Sequence, residues 1–210
     1  DADYKVKWEM PLDRLCPGVT GRANYIHWIK ELLSIKLACP KGGGVQVSGT
    51  SSKPGRVLGF DLGTGASCIY PLLGHAMHGW DFIATEVDPT SVDHARNNVA
   101  LNDWKSYIDV RLVEPGTYLA AALQDNDKDG QVDFCMCNPP FFGSMSQARG
   151  NTETRCMGTS SEMVFPGGEE VFLRGMVRDS LTLRGRVRWY TTMVGKRKTL
   201  KSLMRQLREA

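Results

Sequence analysis

The chain has 210 residues, 41% of them apolar and 23% charged, which suits one domain with a real core and excludes a chain disordered throughout. No apolar run approaches the roughly 20 residues that a bilayer span needs, and Asp1-Ala2-Asp3-Tyr4-Lys5 lacks the basic-then-apolar order of a secretory signal, so a reducing intracellular compartment is expected. The net charge is only +3, yet eleven Lys and Arg stand against two acids between Arg174 and Ala210; that asymmetry fits a polyanion along one side of the domain, or else a solvated helix face.

Residues 1–21 read as irregular, broken by Pro11, Pro17, Gly18 and Gly21. A helix is expected from about Asn24, with Ile26, Ile29, Leu32 and Leu33 on one face, followed by a flexible Gly/Ser-rich loop over 42–54. The first strand is expected at 56–60, a helix from Ala66, a second strand at 80–85 ending on Glu86, and a helix over 91–102. A third strand at 108–113, a short helix at 117–123 and a fourth strand from Val132 to Cys137 follow. Residues 143–168 form a long polar segment of the kind that serves as a lid or substrate loop. A helix from Glu169 to Leu183, a fifth strand within 185–194 and a last helix capped by Thr199 complete the pattern. This β-α alternation predicts an α/β fold, a doubly wound, mainly parallel Rossmann-like sheet with right-handed crossovers.

Metal chemistry has no foothold. The cysteines at 16, 39, 68, 135, 137 and 156 include no C-x2-C spacing, and His75 and His78 lack a nearby third ligand. Asp125-Asn126-Asp127-Lys128-Asp129-Gly130 opens like a calcium loop, but its twelfth position is Met136 within a strand, so it reads as a polar turn.

Two loops carry the chemistry. Asp61-Leu62-Gly63-Thr64-Gly65 follows the first strand, where glycines permit close approach of a ligand to the main chain and to the next helix. Glu86, about twenty residues on, is placed to accept two ribose hydroxyls. Dinucleotide binding would want glycine where Cys68 stands, and an acid precedes the glycines here, which favours S-adenosylmethionine; Asp61 would anchor its amino group directly or through water.

The segment Asn138-Pro139-Pro140-Phe141 after the fourth strand decides between these readings. The nitrogen of an aromatic amine is a poor nucleophile because its lone pair is delocalised into the ring. The Asn138 oxygen and the Pro139 carbonyl can accept its two hydrogens, two prolines stiffen the turn, and Phe141, with Phe142, offers a face for an unpaired base. No strong base is needed, so catalysis would rest on proximity and fixed dipoles.

The stretches Arg22 to Trp28, Asp61 to Gly74, Ala84 to Asp88, Asp133 to Phe142 and Arg188-Trp189-Tyr190 with Gly195-Lys196 closely resemble the methyltransferase-like sixteen family, over about Pro11 to Leu207. The family comprises adenine-N6 methyltransferases of U6 small nuclear RNA and of hairpins in S-adenosylmethionine synthetase transcripts. The resemblance implies a class I methyltransferase domain at 22–210 behind an N-terminal remnant at 1–21. It implies donor contacts from Arg22, Asp61, Gly63, Thr64, Gly65, Ser67, Glu86 and Asn138, and RNA contacts from Phe142, Arg149, Arg155, Lys196, Arg197 and Lys198. It further implies an RNA hairpin with an unpaired adenine as partner, and nuclear or also cytoplasmic residence. On this resemblance the family's N-terminal RNA module is expected to be nearly absent from this sequence, and the sequence to stop before a final antiparallel strand pair. Two rival readings stay open: a protein glutamine methyltransferase, which uses a similar turn, and a catalytically weak RNA-binding protein.

Overall fold

The computed structural model describes residues 4–11, 14, 16, 18–35, 56–123, 129–149 and 160–209, with backbone alone at 148, 149, 160 and 161. The expected loop at 42–54, Arg155 and most of the 125–130 turn therefore lie outside the described residues.

Five strands form one sheet: β1 (Leu58–Leu62), β2 (Asp81–Glu86), β3 (Ile108–Leu112), β4 (Val132–Cys137) and β5 (Val187–Tyr190), in the order β3-β2-β1-β4-β5 with every pairing parallel. No antiparallel strand accompanies them among the described residues, and β5 is an edge. The helices are α1 (Val19–Ser34), α2 (Ile69–His78), α3 (Pro89–Leu101), α4 (Leu119–Ala122), α5 (Met145–Arg149), α6 (Ser160–Met163), α7 (Gly168–Leu183) and α8 (Arg197–Glu209).

The two-residue period of the strands divides the core between two faces. Phe82, Ala84, Phe134 and Met136 pack under α1, α2 and α3, whereas Phe60, Leu62, Ile83, Cys135 and Cys137 pack under α4, α7 and α8. Phe60, Phe82 and Phe134 are fully buried, each burial stabilising by roughly 1.5–3 kcal/mol. Glycine at 59 leaves room for this packing, because a Cβ there would stand 2.5 Å from the Phe134 ring.

Several element boundaries differ from expectation: β1 lies two residues later than 56–60, which puts Asp61 and Leu62 in the strand, α3 starts two residues earlier, and three further helix starts differ. Asn24 is not a cap: α1 starts at Val19 after Gly18, without side-chain capping, and buries Ala23, Tyr25, Ile26 and Ile29. The first turn of α2 begins at Ile69, not Ala66, because Gly65 and Cys68 adopt left-handed backbone (φ 66° and 51°) that no helix can include; Pro71 then falls in the first turn, where its missing N–H costs nothing. Thr199 lies inside α8, buried, and the cap comes from a different helix, as described below.

The N-terminal segment is fastened rather than loose. Asn98 of α3 accepts from Glu9 N (2.7 Å) and donates to the carbonyls of Glu9 (3.0 Å) and Ala66 (3.2 Å). One turn on, Asn102 does the same with Lys7, accepting its N–H at 2.9 Å and donating to its carbonyl at 2.6 Å. Arg14 adds an ion pair with Asp88, the N-cap of α3.

Candidate functional site

In this strand order the chain winds outward from β1 through β2 to β3, then returns to β4 on the other side, so the loops leaving β1 and β4 diverge and open a crevice between them. Leu62 pairs with Cys137, which sets Gly63 and Asn138 side by side at its mouth. A cavity of about 510 Å³ occupies this place, within the range of small-molecule sites.

Of the residues assigned to the donor, Arg22, Gly63, Thr64, Gly65, Ser67, Glu86 and Asn138 all line the cavity. Gly63 (φ 78°) and Gly65 (φ 66°) hold the left-handed turn, and the N–H groups of Gly63 and Thr64 both donate to Thr85 O, at 3.1 and 2.8 Å. Glu86 is buried at the end of β2 and accepts backbone N–H bonds from Gly65 (2.9 Å), Val87 (2.8 Å) and Asp88 (3.0 Å). Burial raises its pKa despite those bonds.

Asp61 stands apart. It is fully buried beside Thr64 and Arg22, does not line the cavity, and its pKa is pushed up to about 7, chiefly by burial; Thr64 opposes the shift, Glu86 adds to it and Arg22 relieves it. Neither Asp61 oxygen, nor the Thr64 hydroxyl, nor Arg22 Nε has a well-formed hydrogen bond. Buried polar atoms are rarely left so, and a cluster of them beside a cavity fits a polar, zwitterionic ligand end. Arg22 lies 5.5 Å from the Tyr70 ring centroid, with one guanidinium nitrogen 3.9 Å from Met193 Sδ.

The elbow after β4 is divided in its tasks. Asn138 and Pro140 face the cavity, Pro139 is buried behind them, and Phe141 sets its ring against Gly195, where a Cβ would come within 2.8 Å. Asn138 Oδ1 is buried and unpaired, an acceptor awaiting a donor. Phe142 is bridged through its backbone to Val164, donating to Met163 O at 3.0 Å and accepting from Phe165 N at 3.0 Å. Lys196 Nζ donates to Phe141 O at 2.6 Å and lies 5.9 Å from the Phe142 ring, and Arg197 and Lys198 are exposed at the start of α8. Arg149 belongs to α5, with its side chain outside the described residues.

Two walls of the cavity are built from residues that sequence reading did not name, although most of the second falls within the segment 143–168 expected to be a lid or substrate loop. Val113, Pro115, Gly116, Thr117 and Tyr118 come from the loop after β3, and their position at a strand's carboxyl end was the available signal. The other wall, Glu162, Val164, Phe165, Pro166 and Phe172, is joined by aromatic packing, Phe165 to Phe172 at 5.2 Å and Phe172 to Tyr118 at 5.3 Å, which no local periodicity announces.

Comparison with known proteins agrees with this architecture. A family described as RNA methyltransferase matches residues 1–210. The mouse RNA N(6)-adenosine-methyltransferase METTL16 is 38% identical across 98% of this chain and 36% of its own length; the U6 small nuclear RNA (adenine-(43)-N(6))-methyltransferase of Schizosaccharomyces pombe is 37% identical across 100% and 51%. The catalytic domain of human METTL16 in complex with MAT2A 3'UTR hairpin 1 superposes with a TM-score of 0.80 at 38% identity, covering 98% of this chain and 67% of that one. The N-terminal domain of human METTL16 in complex with SAH gives 0.74 at 37% identity, covering 99% and 67%. The chain thus spans between about a third and a half of these curated relatives' length. With a doubly wound parallel sheet, a glycine turn after β1, an acid ending β2 and the Asn-Pro-Pro-Phe elbow after β4, it belongs to the RNA methyltransferase family.

Proposed function

We propose that this chain transfers a methyl group from S-adenosylmethionine to N6 of an unpaired adenine in structured RNA, of the U6 or messenger-hairpin kind. When bound, S-adenosylmethionine supplies an electrophilic methyl carbon on a sulfonium. Arg22, Thr64 and Ser67, with Asp61 behind them, are the residues that would hold its amino-acid end, and Glu86 its ribose; the unpaired polar atoms of Arg22, Asp61 and Thr64 support that assignment.

The observation that carries the reading is the buried, unpaired Asn138 Oδ1 at the cavity wall. It accepts one amine hydrogen and the Pro139 carbonyl the other, which localises the nitrogen lone pair. The proton leaves after transfer, to water or to the asparagine oxygen. Phe142, Arg149, Arg155, Arg197 and Lys198 are assigned to the RNA; Arg197 and Lys198 are exposed, which supports their part, and Phe142 lies outside the cavity lining. Substrates of that kind support work in the nucleus, or also in the cytoplasm.

Tritiated methyl transfer into RNA hairpins, with a glutamine-bearing protein acceptor in parallel, tests this. Label should enter RNA, and Asn138→Ala should lower the rate by about 10²-fold or more, the scale of losing one polar contact to the reacting group. Label in the protein alone would establish the glutamine reading. RNA binding without detectable donor binding would establish the weak-enzyme reading, and full transfer by Asn138→Ala would remove Asn138 from its role.

A further inference from the structure

We propose that Lys196 and Glu169 are positioning residues for the catalytic elbow, an inference that rests on the methyl-transfer reading above. The β4–β5 ladder runs on past Tyr190, with Thr191 N–H donating to Cys135 O (3.1 Å) and Met193 N–H to Cys137 O (2.9 Å). It stops there, one residue before Asn138, so the sheet does not hold the segment that does the chemistry.

A second set of contacts takes over at that point. Glu169, in the first turn of α7 and only 1% exposed, accepts the N–H groups of Gly195 (2.5 Å) and Lys196 (3.2 Å). Burying a carboxylate is costly unless it is hydrogen-bonded, and two backbone donors at the start of α8 meet that demand while capping α8 from a neighbouring helix. Held this way, Lys196 sends its ammonium to Phe141 O, a charge-assisted bond of 2.6 Å. Gly195 makes the approach possible, since a Cβ there would meet the Phe141 ring at 2.8 Å and Glu169 Oε1 at 3.1 Å. The elbow is thus pinned at both ends, by β4 before Asn138 and by this clamp after Pro140.

The rival role for Lys196 is a phosphate contact, as assigned to Arg197 and Lys198 beside it. The two differ in what they change. A clamp fixes the Asn138 acceptor against the reacting nitrogen, where a displacement of about 1 Å costs up to 10²-fold in rate. A phosphate contact changes RNA affinity and its salt dependence, by about one unit of log–log slope per contact.

The test uses the full chain with Lys196→Met, Lys196→Arg and Glu169→Gln. Each is measured for the methyl-transfer rate at saturating hairpin and donor, for S-adenosylmethionine affinity by calorimetry, and for hairpin affinity across a salt series. Lys196→Met is expected to lower the saturating rate about tenfold or more, with donor affinity and salt slope unchanged, and Lys196→Arg to restore most of it. Glu169→Gln keeps an acceptor of the same shape and is expected to lower the rate by less. Lys196 is exposed, so its variants decide the matter even where Glu169→Gln fails to fold. A lower salt slope with an unchanged saturating rate in Lys196→Met overturns the inference alone. A wild-type chain that methylates no RNA overturns the underlying reading and this inference with it.

Discussion

Two residues at the site answer to different physics. Asn138 is half-buried and uncharged, and what it offers is an acceptor fixed in direction. Asp61 offers charge, and that charge depends on pH. Its carboxyl, pushed up to about 7, is raised from an ordinary value of 3.8, so the stability it contributes is full below 3.8 and is lost as the pH climbs to about 7. The donor carries a net positive charge and favours the ionised form. Its affinity should therefore strengthen by up to about tenfold per unit as the pH rises toward 7, then level off; in Asp61→Asn the profile should be much flatter, Glu86 being the other raised carboxyl beside the cavity. Calorimetric titration with S-adenosylmethionine between pH 5.5 and 8.5 measures this, and an equally flat wild-type profile would dismiss Asp61 as a charge partner. Both residues were legible in the sequence because a strand and a following loop fix where they stand. The full burial of Asp61 was not, since β1 runs on to Leu62 and so carries Asp61 within the central strand, between Ala84 of β2 and Met136 of β4.

Among the elements, the strands and long helices could be read in advance because each repeats its apolar spacing several times. Two features follow no such period. The Glu169 cap of α8 joins residues 26 and 27 positions apart, and the Asn98–Asn102 fastening joins α3 to a segment about ninety positions earlier. A polar side chain bonded across such distances looks like any surface polar residue in a linear string. Asn98 is nonetheless fully buried and serves three backbone groups. Removing it leaves those groups unpaired at about 1–3 kcal/mol for a buried group, so Asn98→Ala should lose about 2–3 kcal/mol in urea denaturation, with the steepness of the transition unchanged. A loss below about 0.5 kcal/mol would mean that water replaces the amide.

For the molecule as a whole, the charge of the basic stretch from Arg174 onward is not evenly spread. Arg174 is taken up by Glu170 and Ser202, joining α7 to α8, and Arg188 by the carbonyl of Ile35. Arg197 and Lys198 are exposed next to the residue that touches the elbow. The overall charge count could not separate these tasks, because sequence records the sign of a charge and not its neighbours. The paired Arg197→Glu and Lys198→Glu substitution should weaken hairpin binding for all RNA sequences alike and lower the log–log salt slope by about 2. Filter binding from 50 to 300 mM salt reads this, and an unaltered slope would mark the pair as solvated surface.

The N-terminal fastening has a consequence for ligand retention. Arg14 grips Asp88, and the amide of Asp88 is one of the three that orient Glu86. The leading stretch of chain therefore acts as a hasp on the turn that follows β2, and whatever prises it open slackens one of the three amides that hold the Glu86 carboxylate, the group proposed for the ribose.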